Sequence, residues 1–94
     1  MTGEEASAAI VVNGVVQGVG YRHFTIQAAR NLGLAGWVGN RADGSVELEV
    51  EGERRRITAL IQELKIGPRW AQVKDIKVEW GTSRGQYRGF DVRF

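Results

Sequence analysis

The sequence predicts an α+β fold in which one antiparallel sheet carries two helices on the same face. Two segments have apolar side chains at three- and four-residue steps, the spacing of amphipathic helices. The others are short β-branched runs or alternate between apolar and polar residues, as strands do. The predicted order is β-α-β-β-α-β with one further strand, which is the order of the ferredoxin-like, or split β-α-β, arrangement.

The first half of the chain is predicted to form a strand, a helix and a hairpin. The run AIVVN at 9–13 is a buried strand. The helix opens at Arg22 and ends at Gly33, and its apolar face carries Tyr21, Phe24, Ala28 and Leu32. Strands at 36–40 and 45–51 flank an Asp-Gly turn. In the second of them we expect Val46, Leu48 and Val50 to face inward and Glu47, Glu49 and Glu51 to face water.

The second half is predicted to form another helix and two strands. The helix carries Ile57, Leu60, Ile61 and Leu64 on one face and stops at Gly67-Pro68. A strand with an irregularity near Asp75 is predicted from Val73, Ile76, Val78 and Trp80. The last strand is predicted from Phe90, Val92 and Phe94.

Length and composition indicate one small domain. The 94 residues are 43% hydrophobic, and we expect a short flexible tail over 1–7 and the domain over 8–94. The absence of cysteine favours a reducing compartment, and no apolar run approaches the roughly 20 residues of a membrane helix. The start of the sequence does not resemble a signal peptide. We therefore expect a cytoplasmic protein without a membrane partner.

The charge pattern favours a small anion over nucleic acid. The net charge is only +2, and charges of both signs are interspersed. An RNA-binding module on this fold would need stacking aromatic residues on its central strands, where this chain has Val11, Val12 and the glutamates of the hairpin strand. The arginines at 54–56 are typical of a solvated helix face. We expect no nucleic-acid partner.

The stretch GVVQGVGYRHF at 14–24 is the first candidate site. A glycine-containing loop leads into a helix, so backbone N–H groups of the loop and of the first helical turn can converge on an anion. Arg22 adds a planar cationic fork that can bind two phosphate oxygens. A P-loop is excluded because no lysine precedes Lys65, and a dinucleotide fingerprint is excluded because His23 replaces its third glycine. On local grounds a glycine-rich turn with a surface arginine is an equal alternative.

Asn40 is the second candidate. It ends a predicted strand just before the hairpin turn, and its amide can donate to and accept from a water or a phosphate oxygen. A simple turn residue is an equal alternative. The one histidine, His23, is expected to lie at the surface, because adjacent residues on a helix point about 100° apart and it would point away from Arg22.

Two long motifs together resemble the acylphosphatase family. The pattern Val-x-Gly-x-Val-Gln-Gly-Val-x-aromatic-Arg is met by Val12, Gly14, Val16, Gln17, Gly18, Val19, Tyr21 and Arg22. The pattern Gly-aromatic-Val-x-Asn-x-x-x-Gly-x-Val, with a later glycine, is met by Gly36, Trp37, Val38, Asn40, Gly44, Val46 and Gly52. The resemblance extends from about Ala9 to Phe94.

The resemblance implies a ferredoxin-like enzyme that splits acyl phosphates into a carboxylate and inorganic phosphate without a metal or other cofactor. It implies that Arg22 binds the phosphate, that Asn40 positions the attacking water, and that the phosphate-binding loop comprises Gln17, Gly18, Val19, Gly20, Tyr21 and Arg22. We expect a monomer. A related domain that only binds phosphate is the alternative.

Two residues depart from the family pattern. Tyr21 stands where phenylalanine is usual, and its hydroxyl is expected at the mouth of the loop. Gly39 replaces a longer residue before Asn40, and is expected to loosen Asn40 or widen the site.

Overall fold

The structure is a computed structural model that describes residues 3–94. Its elements in chain order are β1 (Glu5–Val15), α1 (Tyr21–Asn31), β2 (Ala35–Asn40), β3 (Val46–Glu53), α2 (Arg54–Ile66), β4 (Gln72–Gly81) and β5 (Phe90–Val92). The five strands form one sheet in the order β4-β1-β3-β2-β5. The predicted ferredoxin-like α+β fold is confirmed.

The sheet is mixed rather than wholly antiparallel. The pairs β1–β4, β1–β3 and β2–β3 are antiparallel, but β5 lies parallel to β2. The strands β4 and β5 occupy opposite edges of the sheet. The connection from Gly81 to Phe90 therefore crosses the width of the sheet, and β5 then pairs with β2. The last strand is also shorter than predicted, because Phe94 lies beyond its end at Val92.

The first strand begins earlier than predicted. It starts at Glu5 rather than Ala9, and Glu5, Ala6 and Ser7 pair with β3. The predicted flexible tail at 1–7 therefore overlaps the sheet from Glu5 onward, and Met1 and Thr2 lie outside the described residues. The alternation of buried and exposed residues is hard to recognise in this mostly polar segment, because its inward-facing side chains are the small residues Ala6 and Ala8.

One apolar core lies between the sheet and both helices. Its buried side chains come from alternate positions of β1 and β3, as predicted for Val46, Leu48 and Val50. Helix α2 contributes the predicted stripe, Ile57, Leu60, Ile61 and Leu64, and α1 contributes Tyr21, Thr25, Ala28 and Ala29. Burial of each large aliphatic side chain of α2 contributes about 1.5–3 kcal/mol, which holds this helix against the sheet. Within residues 3–94 neither helix is long and apolar enough to cross a membrane.

The opposite face of the sheet is partly covered, which the sequence did not predict. Glu51 was expected to face water but is only 5% exposed. Its carboxylate accepts hydrogen bonds from the backbone N–H groups of Arg84 at 2.8 Å and Gln86 at 2.9 Å. Glu49 accepts another from the Tyr87 hydroxyl at 3.1 Å. These hydrogen bonds hold the segment 82–89 against β3, the strand that carries both glutamates.

A bulge in the β1–β4 pair sets the start of the glycine loop. The register shifts between Asn13 and Gly14, so that Asn13 faces Asp75 while Gly14 faces Val73. This is the irregularity predicted near Asp75. Gly14 has φ 137°, and a Cβ there would lie 2.1 Å from the Gln72 carbonyl oxygen. Only glycine allows the two strands to approach this closely as the chain turns toward α1.

Candidate active site

The loop between β1 and α1 holds a row of free backbone donors. Val16 is 1% exposed and anchors the loop in the core, whereas Gly18 and Gly20 lie at the surface with φ 73° and 79°. Gly20 caps α1 in the left-handed conformation, and no side chain caps this helix end. Among the described residues, none accepts a hydrogen bond from the N–H groups at 18–23, and the first closing bond runs from Phe24 N to the Gly20 oxygen.

Tyr21 opens the helix with its side chain in the core. It is 1% exposed, and its hydroxyl donates to the Leu64 carbonyl oxygen at 2.7 Å. Burial raises the pKa of this hydroxyl well above its ordinary value, so it stays protonated. The expectation of a hydroxyl at the mouth of the loop was therefore wrong. Only the backbone of Tyr21 is available to a ligand at the loop.

Arg22 presents an uncompensated cation to a cavity of about 300 Å³. Within residues 3–94 no carboxylate lies within the 4.0 Å limit of an ion pair with its guanidinium. Its Cζ atom lies 5.7 Å from the centre of the Phe94 ring, a cation-π distance. The charge is therefore free to bind an anion.

Asn40 lies at the edge of the same cavity. It is the exposed last residue of β2 and faces Val46 across the β2–β3 pair. Its side-chain amide makes no hydrogen bond to any of residues 3–94. The sequence predicts Arg22 and Asn40 as separate candidates, and the fold brings both to one cavity.

The turn that follows Asn40 is held by its own hydrogen bonds. Arg41 N donates to the Ser45 carbonyl at 2.8 Å, and Gly44 N donates to the Arg41 carbonyl at 3.2 Å. The Asp43 carboxylate accepts from both the N–H and the hydroxyl of Ser45. These bonds to Ser45, with a smaller contribution from the Arg41 charge, lower the pKa of Asp43. Asp43 serves the turn, as its sequence position indicated.

The Gln17 side chain contacts this turn rather than the cavity. Its Nε2 donates to the carbonyl oxygens of Arg41 and Ser45, both at 2.8 Å. Gln17 was expected among the phosphate-binding residues of the loop. Its side-chain nitrogen is occupied elsewhere, so only its backbone remains for that role.

Gly39 allows the end of the chain to cover the site. A Cβ at position 39 would lie 2.7 Å from the Arg93 carbonyl oxygen, and Arg93 N donates to the Val38 carbonyl at 2.8 Å. The segment that passes over Gly39 brings Val92 and Phe94 to the cavity. The expected widening is thus wrong, because backbone fills the space that a side chain would occupy.

The remaining wall of the cavity is mostly apolar. Val16 and Ile26 line it together with Val92 and Phe94, and these residues carried no signal in the motifs beyond Val16. His23 is exposed and also lines the cavity, next to Arg22. The prediction that His23 lies at the surface is confirmed, although it borders the same cavity as Arg22. That it takes no part in catalysis stays a prediction.

The fold and this cavity together define a small ferredoxin-like domain with an unpaired arginine at a glycine loop. A family model described as acylphosphatase matches residues 8–92. The chain is 55% identical over 69 residues to an acylphosphatase of Bifidobacterium longum, covering 73% of this chain and 71% of that protein. It is 44% identical over 92 residues to an acylphosphatase of Salinibacter ruber, covering 98% of this chain and 97% of that protein.

A solved structure gives the same result. The crystal structure of acylphosphatase from Bacillus subtilis superposes with a TM-score of 0.92 at 36% identity, covering 95% of this chain and 99% of that one. The chain belongs to the acylphosphatase family and is an enzyme of that family.

Proposed function

We propose that this enzyme hydrolyses the carboxyl-phosphate bond of small acyl phosphates, giving a carboxylate and inorganic phosphate without a metal ion. One observation carries the proposal: the unpaired guanidinium of Arg22, the free N–H groups of the glycine loop and the free amide of Asn40 border one cavity. The family membership supports the same reaction.

In the bound state, the phosphate lies at the loop. Backbone N–H groups of Gln17, Gly18, Val19, Gly20, Tyr21 and Arg22 donate to its oxygens, and the Arg22 fork binds two of them. Charged hydrogen bonds contribute about 1.5–3 kcal/mol each, so several of them exceed the roughly 4 kcal/mol of a millimolar complex. The cost of ordering and desolvation offsets the difference.

Asn40 positions the attacking water. Its amide has both a donor and an acceptor to orient one water molecule opposite the leaving group. The water oxygen attacks phosphorus, the bond from phosphorus to the acyl oxygen breaks, and its electron pair stays on the carboxylate. The water proton passes to a phosphate oxygen of the substrate itself.

The leaving group explains why so few residues suffice. A carboxylate is stable as an anion at neutral pH, so no general acid is needed. Positioning of the water and stabilisation of charge on the phosphoryl oxygens remain, and the loop, Arg22 and Asn40 supply both. This is consistent with a cavity to which residues 3–94 contribute no aspartate or glutamate.

The same lining supports the metal-free mechanism. Among the cavity-lining residues within 3–94, His23 is the one that commonly ligates metals. We propose that the enzyme acts as a monomer. We propose that the substrate is a small molecule and that neither nucleic acid nor a membrane takes part.

A direct assay tests the proposal. Purified protein is incubated with acetyl phosphate, with and without a chelator, and in parallel with a phosphate monoester of similar size. We expect rapid hydrolysis of acetyl phosphate alone, with competitive inhibition by inorganic phosphate. Binding of phosphate without turnover would instead support the alternative of a related domain that only binds phosphate. Loss of activity in chelator would contradict the metal-free mechanism.

A further inference from the structure

We propose that Gln17 is a positioning residue: its side-chain amide fixes the turn after Asn40 against the glycine loop and so holds Asn40 in place for the reaction. The inference rests on the proposed function, since it assigns to Gln17 a part in the same hydrolysis. It changes the role that the loop motif suggested for Gln17, from contact with phosphate to contact with the protein.

Within residues 3–94, the glycine loop follows β1 and Asn40 ends β2, and these two strands do not pair with each other because β3 lies between them. Asn40 pairs with Val46, and Val46 pairs on its other side with Val12, so these residues form one row across the sheet. That row is the last of the β1–β3 ladder. Beyond this row, the glycine loop follows β1 and the hairpin turn follows β2. Within residues 3–94 no backbone hydrogen bond connects the loop to the turn.

The Gln17 side chain bridges this gap. Its two N–H hydrogens match two acceptors, the Arg41 and Ser45 carbonyl oxygens, each 2.8 Å from Nε2. Those same two carbonyls accept the bonds that close the turn, from Gly44 N and Arg41 N. Gln17 is half-buried, and its bond to Ser45 is shielded from water more than its bond to Arg41.

The functional consequence follows from the position of the turn. Arg41, one of the two residues held, directly follows Asn40, so movement of the turn moves the Asn40 backbone. A displacement of about 1 Å in a positioning group lowers turnover about a hundredfold. Phosphate binding is affected less, because the loop N–H groups and Arg22 lie on the β1–α1 side of the gap.

Kinetics of Gln17→Met test this role, because methionine has a similar length and no donor. Gln62→Met is the control, on the exposed face of α2. We expect kcat to fall about ten- to hundredfold in Gln17→Met, with KM and the inhibition constant of phosphate within about threefold of the parent values. The control keeps the parent kinetics. Weaker phosphate binding with unchanged kcat would overturn the proposal and return Gln17 to the phosphate site.

A double-mutant cycle separates positioning of Asn40 from other effects. In an Asn40→Ala background, Gln17→Met should lower kcat by less than about threefold further, because the group it positions is gone. A full, multiplicative loss in the double variant would overturn the proposal. Gln17→Glu, ionised at neutral pH and without an N–H, serves as a second variant if Gln17→Met does not fold.

A readout without turnover keeps this inference distinct from the proposed function. Backbone amide NMR signals of residues 41–45 should shift in Gln17→Met and not in Gln62→Met. Shifted signals in a protein that does not hydrolyse acetyl phosphate would refute the proposed function but support the contact between Gln17 and the turn. Unshifted signals in an active enzyme would refute the proposed role of this contact but support the proposed function.

Discussion

The Tyr21 hydroxyl donates to a carbonyl that the helix itself leaves unpaired. The acceptor is Leu64, 2.7 Å away in the last turn of α2, and its normal helical donor would be the N–H of residue 68, which is proline. The first residue of α1 therefore completes the end of α2. This bond joins the two helices on their buried side.

Tyr21→Phe is expected to lower stability without lowering activity. Removal of the hydroxyl leaves the buried Leu64 carbonyl unsatisfied, which costs about 1–3 kcal/mol. Denaturant unfolding measures this loss, and Tyr87→Phe is the comparison because the Tyr87 hydroxyl is only partly buried. A kcat reduced in proportion to stability would contradict the placement of the hydroxyl away from the cavity.

Arg22→Lys is expected to remove most activity. Lysine keeps the charge but cannot hold two phosphate oxygens in one plane, and each lost charged hydrogen bond of about 1.5–3 kcal/mol corresponds to roughly ten- to hundredfold in kcat/KM. Steady-state kinetics with acetyl phosphate give the ratio. Arg88→Lys, at an exposed position outside the cavity, is the matched control. Equal activity of the two variants would argue against bidentate binding.

Asn40→Ala is expected to separate binding from rate. Loss of the amide leaves the loop and Arg22 intact, so inorganic phosphate should inhibit as it inhibits the parent, while kcat falls about a hundredfold. Asn31→Ala, at the exposed end of α1, controls for the loss of an asparagine side chain. An unchanged turnover number would refute the water-positioning role.

The sequence predicted the elements well and the contacts between distant segments poorly. Periodicity placed both helices and the inward face of β3, because those patterns are local. Glu51 read as a solvent-facing residue because its partners are backbone N–H groups at 84 and 86, which have no sequence pattern. The Gln17 contacts, and the passage of the Arg93 backbone over Gly39, likewise join residues far apart in the chain.

The candidate site shows the same division. The loop motif and the asparagine motif indicated Arg22 and Asn40, and the fold places both on one cavity. The apolar wall formed by Ile26, Val92 and Phe94 was not predicted, because these residues meet only after β5 pairs with β2. The motifs therefore predicted the polar residues of the site, whereas its apolar wall depends on strand pairing.

Glu51→Gln is expected to loosen the segment 82–89. Glutamine has a single side-chain oxygen for two backbone N–H donors, so one charged hydrogen bond is lost, at about 1.5–3 kcal/mol. Hydrogen exchange should accelerate at the Arg84 or Gln86 amide, and the free energy of unfolding should fall. Glu63→Gln on the exposed face of α2 should change neither quantity.

Asp43 is expected to make the hairpin turn sensitive to acid. Hydrogen bonds from Ser45 lower its pKa in the folded protein below the ordinary 3.8, so its stabilising effect is fully present above that pH. The effect is lost as pH falls through the lowered pKa. The difference in melting temperature between the parent and Asp43→Ala should therefore shrink from pH 6 to pH 2.5. Asp75→Ala is the control for loss of an exposed aspartate side chain.

The pairing of β1 with β4 joins Ser7 to Gly81, close to the two ends of the described chain. During synthesis β1 must therefore wait, with one edge unpaired, until β4 has been made. Such distant pairing slows folding relative to a protein of local contacts. An unpaired apolar strand such as AIVV is also the segment most prone to join a neighbouring chain in that interval.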